Sequence, residues 1–120
     1  MIIAGCHSRL EQQTALADAG AEIWVLPKAN GKVDLRALLQ RLAEEGANEV
    51  MIEAGATLTG AFAQAHLVDE YILYIAPTFL GSSAKPLLEW PLKSMRDQRR
   101  LTWVDTRSVG DDLRLIARPK

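Results

Sequence analysis

The residues best suited to binding or chemistry lie in one run, Val50-Met51-Ile52-Glu53-Ala54-Gly55-Ala56-Thr57-Leu58-Thr59-Gly60-Ala61. An apolar, strand-like segment passes into small residues and then into a helix-forming segment. The unpaired N–H groups of that helix's first turn then point outward beside a backbone without bulky side chains. Such a turn accepts a phosphate, and ligands of open α/β sheets lie beyond the carboxyl ends of the strands. Thr57 and Thr59 add hydroxyl donors to the same place. Small residues at a strand-to-helix turn also let the helix approach the sheet closely, so spacing alone leaves both readings open and favours packing. Glu53 needs separate treatment, because a phosphate one turn away repels its carboxylate unless it faces elsewhere. Its partner is either a helix cap or cation, or the amide and amine groups of a buried polar heterocycle.

The other chemistry-bearing side chains are scattered. Cys6 and His7 are neighbours, a spacing that rarely makes a nucleophile and base pair. His66 falls at an expected helix end, where a cation suits the dipole. Arg96, Arg99 and Arg100 form a small basic cluster, read as a solvated face, with a phosphate contact as the sharper alternative. Trp24, Trp90 and Trp103 are too far apart for a stacking platform and read as core or interface residues. A single cysteine permits no internal disulfide and no paired-cysteine zinc or redox site, so no metal is expected and a reducing cytoplasm fits.

These residues must be positioned by a chain of 120 residues, 48% hydrophobic, 24% charged and 6% aromatic, the profile of an ordinary globular domain. Fourteen basic side chains against fifteen acidic leave a net charge of −1, so no overall positive field favours nucleic acid as a partner. Apolar runs fall far short of the ~20 residues that span a bilayer, and the start has no signal-peptide pattern, so neither a membrane nor export is expected.

Hydrophobic period alternates between strand and helix values along the chain. Residues 2–4 read as a strand, and Ser8 with Glu11 forms a capping box for a helix ending near Ala19 and Gly20. Residues 23–26 form a second strand, stopped by Pro27 and followed by the turn pair Asn30-Gly31. Asp34 caps a helix whose Leu35, Leu38, Leu39 and Leu42 share one face, and Gly46 suits its C-terminal left-handed position. Residues 49–53 begin a third strand and residues 57–66 a short helix. Residues 71–76 read as a buried strand, and 78–100 as a long irregular connection. Residues 101–106 and 113–118 form an antiparallel hairpin about Gly110-Asp111-Asp112, where the aspartates read as turn residues. The expected class is a mixed α/β sheet, mostly parallel with helices on both faces and an antiparallel hairpin at the end.

Residues 52–62, followed by Leu67-Val68-Asp69-Glu70, Tyr74-Ile75-Ala76-Pro77, Leu80-Gly81 and Ala84-Lys85-Pro86-Leu87, resemble the C-terminal reductase domain of the bifunctional riboflavin biosynthesis deaminase/reductase. The blocks occur in the family's order and spacing from residue 50 to 87. The hairpin with Gly110 and Asp112 agrees more loosely, and residues before Asn48 agree only in element order. The resemblance implies a dihydrofolate-reductase-like fold and NADPH-dependent reduction of 5-amino-6-(5-phosphoribosylamino)uracil, a phosphorylated pyrimidine, to its ribitylamino product. It places Glu53 on the substrate and Gly55, Ala56, Thr57, Leu58, Thr59, Gly60 and Ala61 on the dinucleotide. Ala54-Gly55 stands where many relatives carry two glycines, which still permits close approach. The family's earlier strand and loops, which carry further phosphate and cofactor contacts, and its fused deaminase domain have no counterpart here. Residues 1–120 are therefore expected to be a single, partial reductase domain, a fragment or a truncated product. The alternative is a non-catalytic nucleotide-binding or dimerisation module. The resemblance also implies a homodimer, with residues 71–76 and the hairpin as sheet-edge surfaces, and an upstream deaminase domain in the full-length protein.

Overall fold

A computed structural model describes residues 1–7 and 10–120, without the side chains of residues 10–12. The expected capping box of Ser8 and Glu11 therefore lies outside the described residues. The chain divides into two compact units, Met1–Met51 and Ile52–Lys120.

In the first unit, strand β1 (Ile2–Gly5) runs through helix α1 (Leu10–Asp18) to strand β2 (Glu22–Val25). The two strands pair in parallel, with Ile3 opposite Ile23. Parallel neighbours require such a crossover connection. Trp24 on β2 and Ala21 before it are the buried residues among those described in this unit. The Trp24 indole donates to Glu22 Oε1 at 2.7 Å, and Arg41 lies over its ring at 5.2 Å. Two-residue strands β3 (Lys28–Ala29) and β4 (Lys32–Val33) form a tight antiparallel hairpin. Asn30 and Gly31 supply the two positive φ values, 50° and 81°, that its loop needs. Helix α2 (Leu35–Glu44) follows, capped as expected: Asp34 Oδ1 accepts from the N–H groups of Arg36 at 2.9 Å and Ala37 at 3.2 Å.

In the second unit, helix α3 (Ala56–Gln64) precedes a three-stranded antiparallel sheet of order β5-β7-β6, made by β5 (Tyr71–Ile75), β6 (Leu101–Val109) and β7 (Asp112–Pro119). A single 3-10 turn, Met95–Asp97, interrupts the otherwise irregular segment between β5 and β6. The β6-β7 hairpin turns at Gly110, φ 61°, the first of two loop positions between the paired Val109 and Asp112. Its register slips between Trp103 and Asp105, a bulge at Val104. Phe62, Ala63 and Ala117 are the buried apolar residues of this unit.

Three expectations change. Residues 49–53 form no strand; Val50 and Met51 are exposed, and no strand among the described residues pairs with them. A three-residue apolar run becomes a strand only where a neighbour takes its backbone groups. Residues 71–75 are a strand, but not a buried one: Ile72 and Tyr74 are 52% and 60% exposed. The sheets are mixed, as expected, but parallel pairing is confined to β1-β2 among the described strands.

Candidate functional site

Helix α3 starts where the chain stops offering side chains. Gly55, its N-cap, holds extended backbone (φ −69°, ψ 166°) and makes no side-chain cap bond. Its carbonyl accepts from Thr59 N–H at 3.1 Å, which closes the first turn. The N–H groups of Ala56, Thr57 and Leu58 lie too early in the helix for an intrahelical acceptor and have no other among the described residues. A Cβ placed on Gly55 would meet no atom within 4 Å, so open space adjoins those donors. Aligned peptide dipoles add partial positive charge at the same end. Three unpaired donors, a positive helix end and no side-chain bulk at the cap fit a phosphate or pyrophosphate group.

Glu53 lies two residues before the cap, exposed, and forms no hydrogen bond or ion pair among the described residues. Neither the helix-cap nor the salt-bridge reading is realised, since the cap is Gly55. Thr57 and Leu58 are exposed at the first turn. The Thr59 hydroxyl already donates, to the Ala54 carbonyl at 3.2 Å. It braces the turn from within.

Gly60 and Ala61 separate from this group. Gly60 is buried one turn further on, and a Cβ there would lie 2.1 Å from the Glu89 carbonyl oxygen. Glu89 N–H donates to the Ala56 carbonyl at 2.9 Å, and Gln64 Nε2 donates to the Glu89 carbonyl at 3.0 Å. The residues 55–61 expected to act together thus divide in two. The first turn presents donors, and Gly60 admits a crossing backbone.

At the far end of α3, His66, Arg96, Arg99, Arg100 and Lys120 line an open cleft of about 910 Å³. The arginine cluster is legible in the sequence, but His66 and Lys120 join it only through tertiary contacts. The Arg99 charge also acts on Tyr71, whose phenol pKa is raised above its ordinary value by burial against the opposing pull of that charge. Cys6 and His7 instead line a separate apolar cavity of about 300 Å³ in the first unit, with Ile3, Leu16 and Trp24.

The family model of the RibD C-terminal domain matches residues 1–115. The chain belongs to that family. It is 41% identical over 90 residues to the riboflavin biosynthesis protein RibD of Escherichia coli, covering 74% of this chain and 24% of the relative. It is 37% identical over 92 residues to the 5-amino-6-(5-phosphoribosylamino)uracil reductase of Buchnera aphidicola, covering 76% of this chain and 44% of that protein. A solved structure of Acinetobacter baumannii RibD matches with a TM-score of 0.84 at 34% identity, over 99% of this chain and 31% of that one. The fold is therefore dihydrofolate-reductase-like, a mixed α/β arrangement with a C-terminal antiparallel hairpin. The chain spans about a quarter of the E. coli relative and under half of the B. aphidicola one.

Proposed function

We propose that residues 1–120 form part of one reductase domain that acts in riboflavin biosynthesis, reducing 5-amino-6-(5-phosphoribosylamino)uracil to its ribitylamino product with NADPH. The observation that carries this reading is the uncapped first turn of α3 behind Gly55, with the unpartnered Glu53 two residues upstream. Family membership and the named activity of the B. aphidicola relative support it.

In this reading the N–H groups of Ala56, Thr57 and Leu58 hold a phosphate of the dinucleotide, and Gly55 keeps the approach open. Glu53 accepts hydrogen bonds from the pyrimidine N–H groups, a pairing that a buried heterocycle requires. NADPH, when bound, supplies the hydride. The protein's part is alignment, so the lack of an acid-base constellation around α3 is consistent with the reaction. The working assembly is a cytoplasmic homodimer whose full-length chain carries a deaminase domain. The dimer is supported by the apolar residues that β5 and β6 leave exposed, Ile72, Tyr74 and Trp103.

Titration with NADPH, followed by turnover of the pyrimidine substrate, tests the proposal. Wild-type protein binds NADPH, and Gly55→Asp, which sets a carboxylate against the anion donors, weakens binding by about tenfold or more. Unchanged affinity in Gly55→Asp overturns the assignment of α3. Glu53→Gln is expected to leave NADPH affinity intact and weaken the pyrimidine.

A further inference from the structure

The cleft at the C-terminal end of α3 is built from cations without counter-ions. Arg107, Arg114 and Arg118, the other arginines of the second unit, each pair with a carboxylate, Asp105 or Glu70. Arg96, Arg99, Arg100 and Lys120 make no ion pair among the described residues. Four positive charges thus share one cleft in a chain of net charge −1.

Their placement is fixed by structure. Lys120 N–H donates to the Arg100 carbonyl at 3.1 Å, which holds the two residues together where β6 begins and β7 ends. Ser94 Oγ accepts from Arg96 N–H at 3.2 Å and caps the 3-10 turn beneath it. The Arg99 guanidinium lies over the Trp90 ring at 5.6 Å and abuts the His66 imidazole. Stacking on an aromatic face and abutting an imidazole pre-orients a guanidinium.

His66 supplies a second, independent observation. All three helices end with the same pair of crossed backbone bonds, the Schellman arrangement. In α1 these run from Gly20 to Ala17 and Ala21 to Leu16, in α2 from Gly46 to Ala43 and Ala47 to Leu42. In α3 they run from His66 to Ala63 and Leu67 to Phe62. The left-handed residue is glycine in the first two, φ 83° and 91°, but histidine in the third, φ 58°. A side chain here is conformationally unfavourable, and this one points an imidazole at Arg99 in the cationic cleft. The crossed bonds engage the Phe62 and Ala63 carbonyls of the last turn.

We propose that His66, Arg96, Arg99, Arg100 and Lys120 form a phosphate-recognition site for a small phosphorylated ligand. The dianionic phosphate group supplies the missing counter-charge, and arginine forks match its oxygens. This site lies at the opposite end of α3 from Gly55 and stands or falls independently of the dinucleotide reading.

The test is a nuclear magnetic resonance titration of the whole chain at low salt, with inorganic phosphate, then ribose 5-phosphate and ADP as alternative sources of the same group. Saturable shifts are expected at the amides of His66, residues 96–100 and Lys120. The double variant Arg96→Ser, Arg100→Ser, at two exposed positions, is expected to weaken phosphate binding at least tenfold, while Gly55→Asp leaves it unchanged. Ribose 5-phosphate binding more tightly than inorganic phosphate assigns a sugar phosphate, and ADP binding more tightly assigns a nucleotide. No saturable shift in the wild type, shifts confined to residues 56–58, or full affinity in the double variant would each overturn the proposal. Should the double variant not fold, the wild-type shift map alone decides.

Discussion

Replacing Gly60 by alanine separates packing from ligand binding inside the small-residue run. The added Cβ would lie 2.1 Å from the Glu89 carbonyl oxygen, 2.8 Å from its carbonyl carbon and 3.0 Å from its nitrogen. A carbon and a carbonyl oxygen rest at about 3.3 Å or more, so the backbone at Glu89 must retreat by roughly 1.2 Å. All three obstructing atoms are backbone, which cannot swing aside as a side-chain tip does. The retreat breaks the bond from Glu89 N–H to Ala56 and the bond from Gln64 Nε2 to Glu89, each worth about 1 kcal/mol. Overpacking adds about 1–3 kcal/mol. Alanine returns about 1 kcal/mol of helix propensity. The net expectation is a loss of about 2–4 kcal/mol, read as a lower urea midpoint at unchanged slope. Gly55→Ala is the control: with open space and φ −69° it is expected to lose under about 1 kcal/mol. A Gly60→Ala protein as stable as wild type, or about 1 kcal/mol more stable from propensity alone, would show that residues 88–90 do not cross α3 at that glycine.

Other outcomes follow from local geometry. His66→Gly relieves the left-handed strain and is expected to stabilise the protein by about 1 kcal/mol in thermal melts while weakening phosphate binding in the cleft. Asp34→Ala removes both cap bonds of α2 and is expected to destabilise by about 1 kcal/mol in urea denaturation. Tyr71 has its folded-state pKa raised above 10.0, chiefly by burial. Its contribution to stability is therefore complete below the unfolded pKa and is lost as pH rises through the folded one. Arg99→Ser removes the opposing positive charge and should push the tyrosinate absorbance transition to still higher pH; a transition moving lower would contradict that electrostatic influence.

Legibility in the sequence tracked how local each cause is. The Asp34 cap, the Asn30-Gly31 hairpin loop, the Gly46 helix end and the Gly110 turn are set by residues within a few positions of one another, and each lies where the pattern placed it. The strand expected at residues 49–53 failed because strand formation depends on a neighbour, which three apolar residues do not encode. Burial of β5 failed for a related reason: a continuous apolar run cannot reveal that its face is left uncovered. In the sequence the small-residue block is a single unit, because Gly55 and Gly60 look alike in one dimension. Only the passage of Glu89, 29 positions further on from Gly60, distinguishes them.

The two proposed sites would have one helix recruit anions by opposite means at its two ends. At its N-terminus the donors are neutral N–H groups supplied by the helix itself, and the sequence need only withhold side chains, which Ala54-Gly55-Ala56 does. At its C-terminus the peptide dipoles present partial negative charge, so an anion is excluded unless cations outweigh them. Those cations come from residues 96–100 and Lys120, carried there by the turn before β6 and the end of β7. Formal charges feel added salt far more than neutral donors do, so ionic strength separates the two ends without mutation. Arg99 links the second arrangement to the fold: held by Trp90 and His66 and felt by Tyr71, it is a charge the sheet and helix fix together. The histidine that stands where two sister helices keep glycine is the residue that joins α3 to that charge.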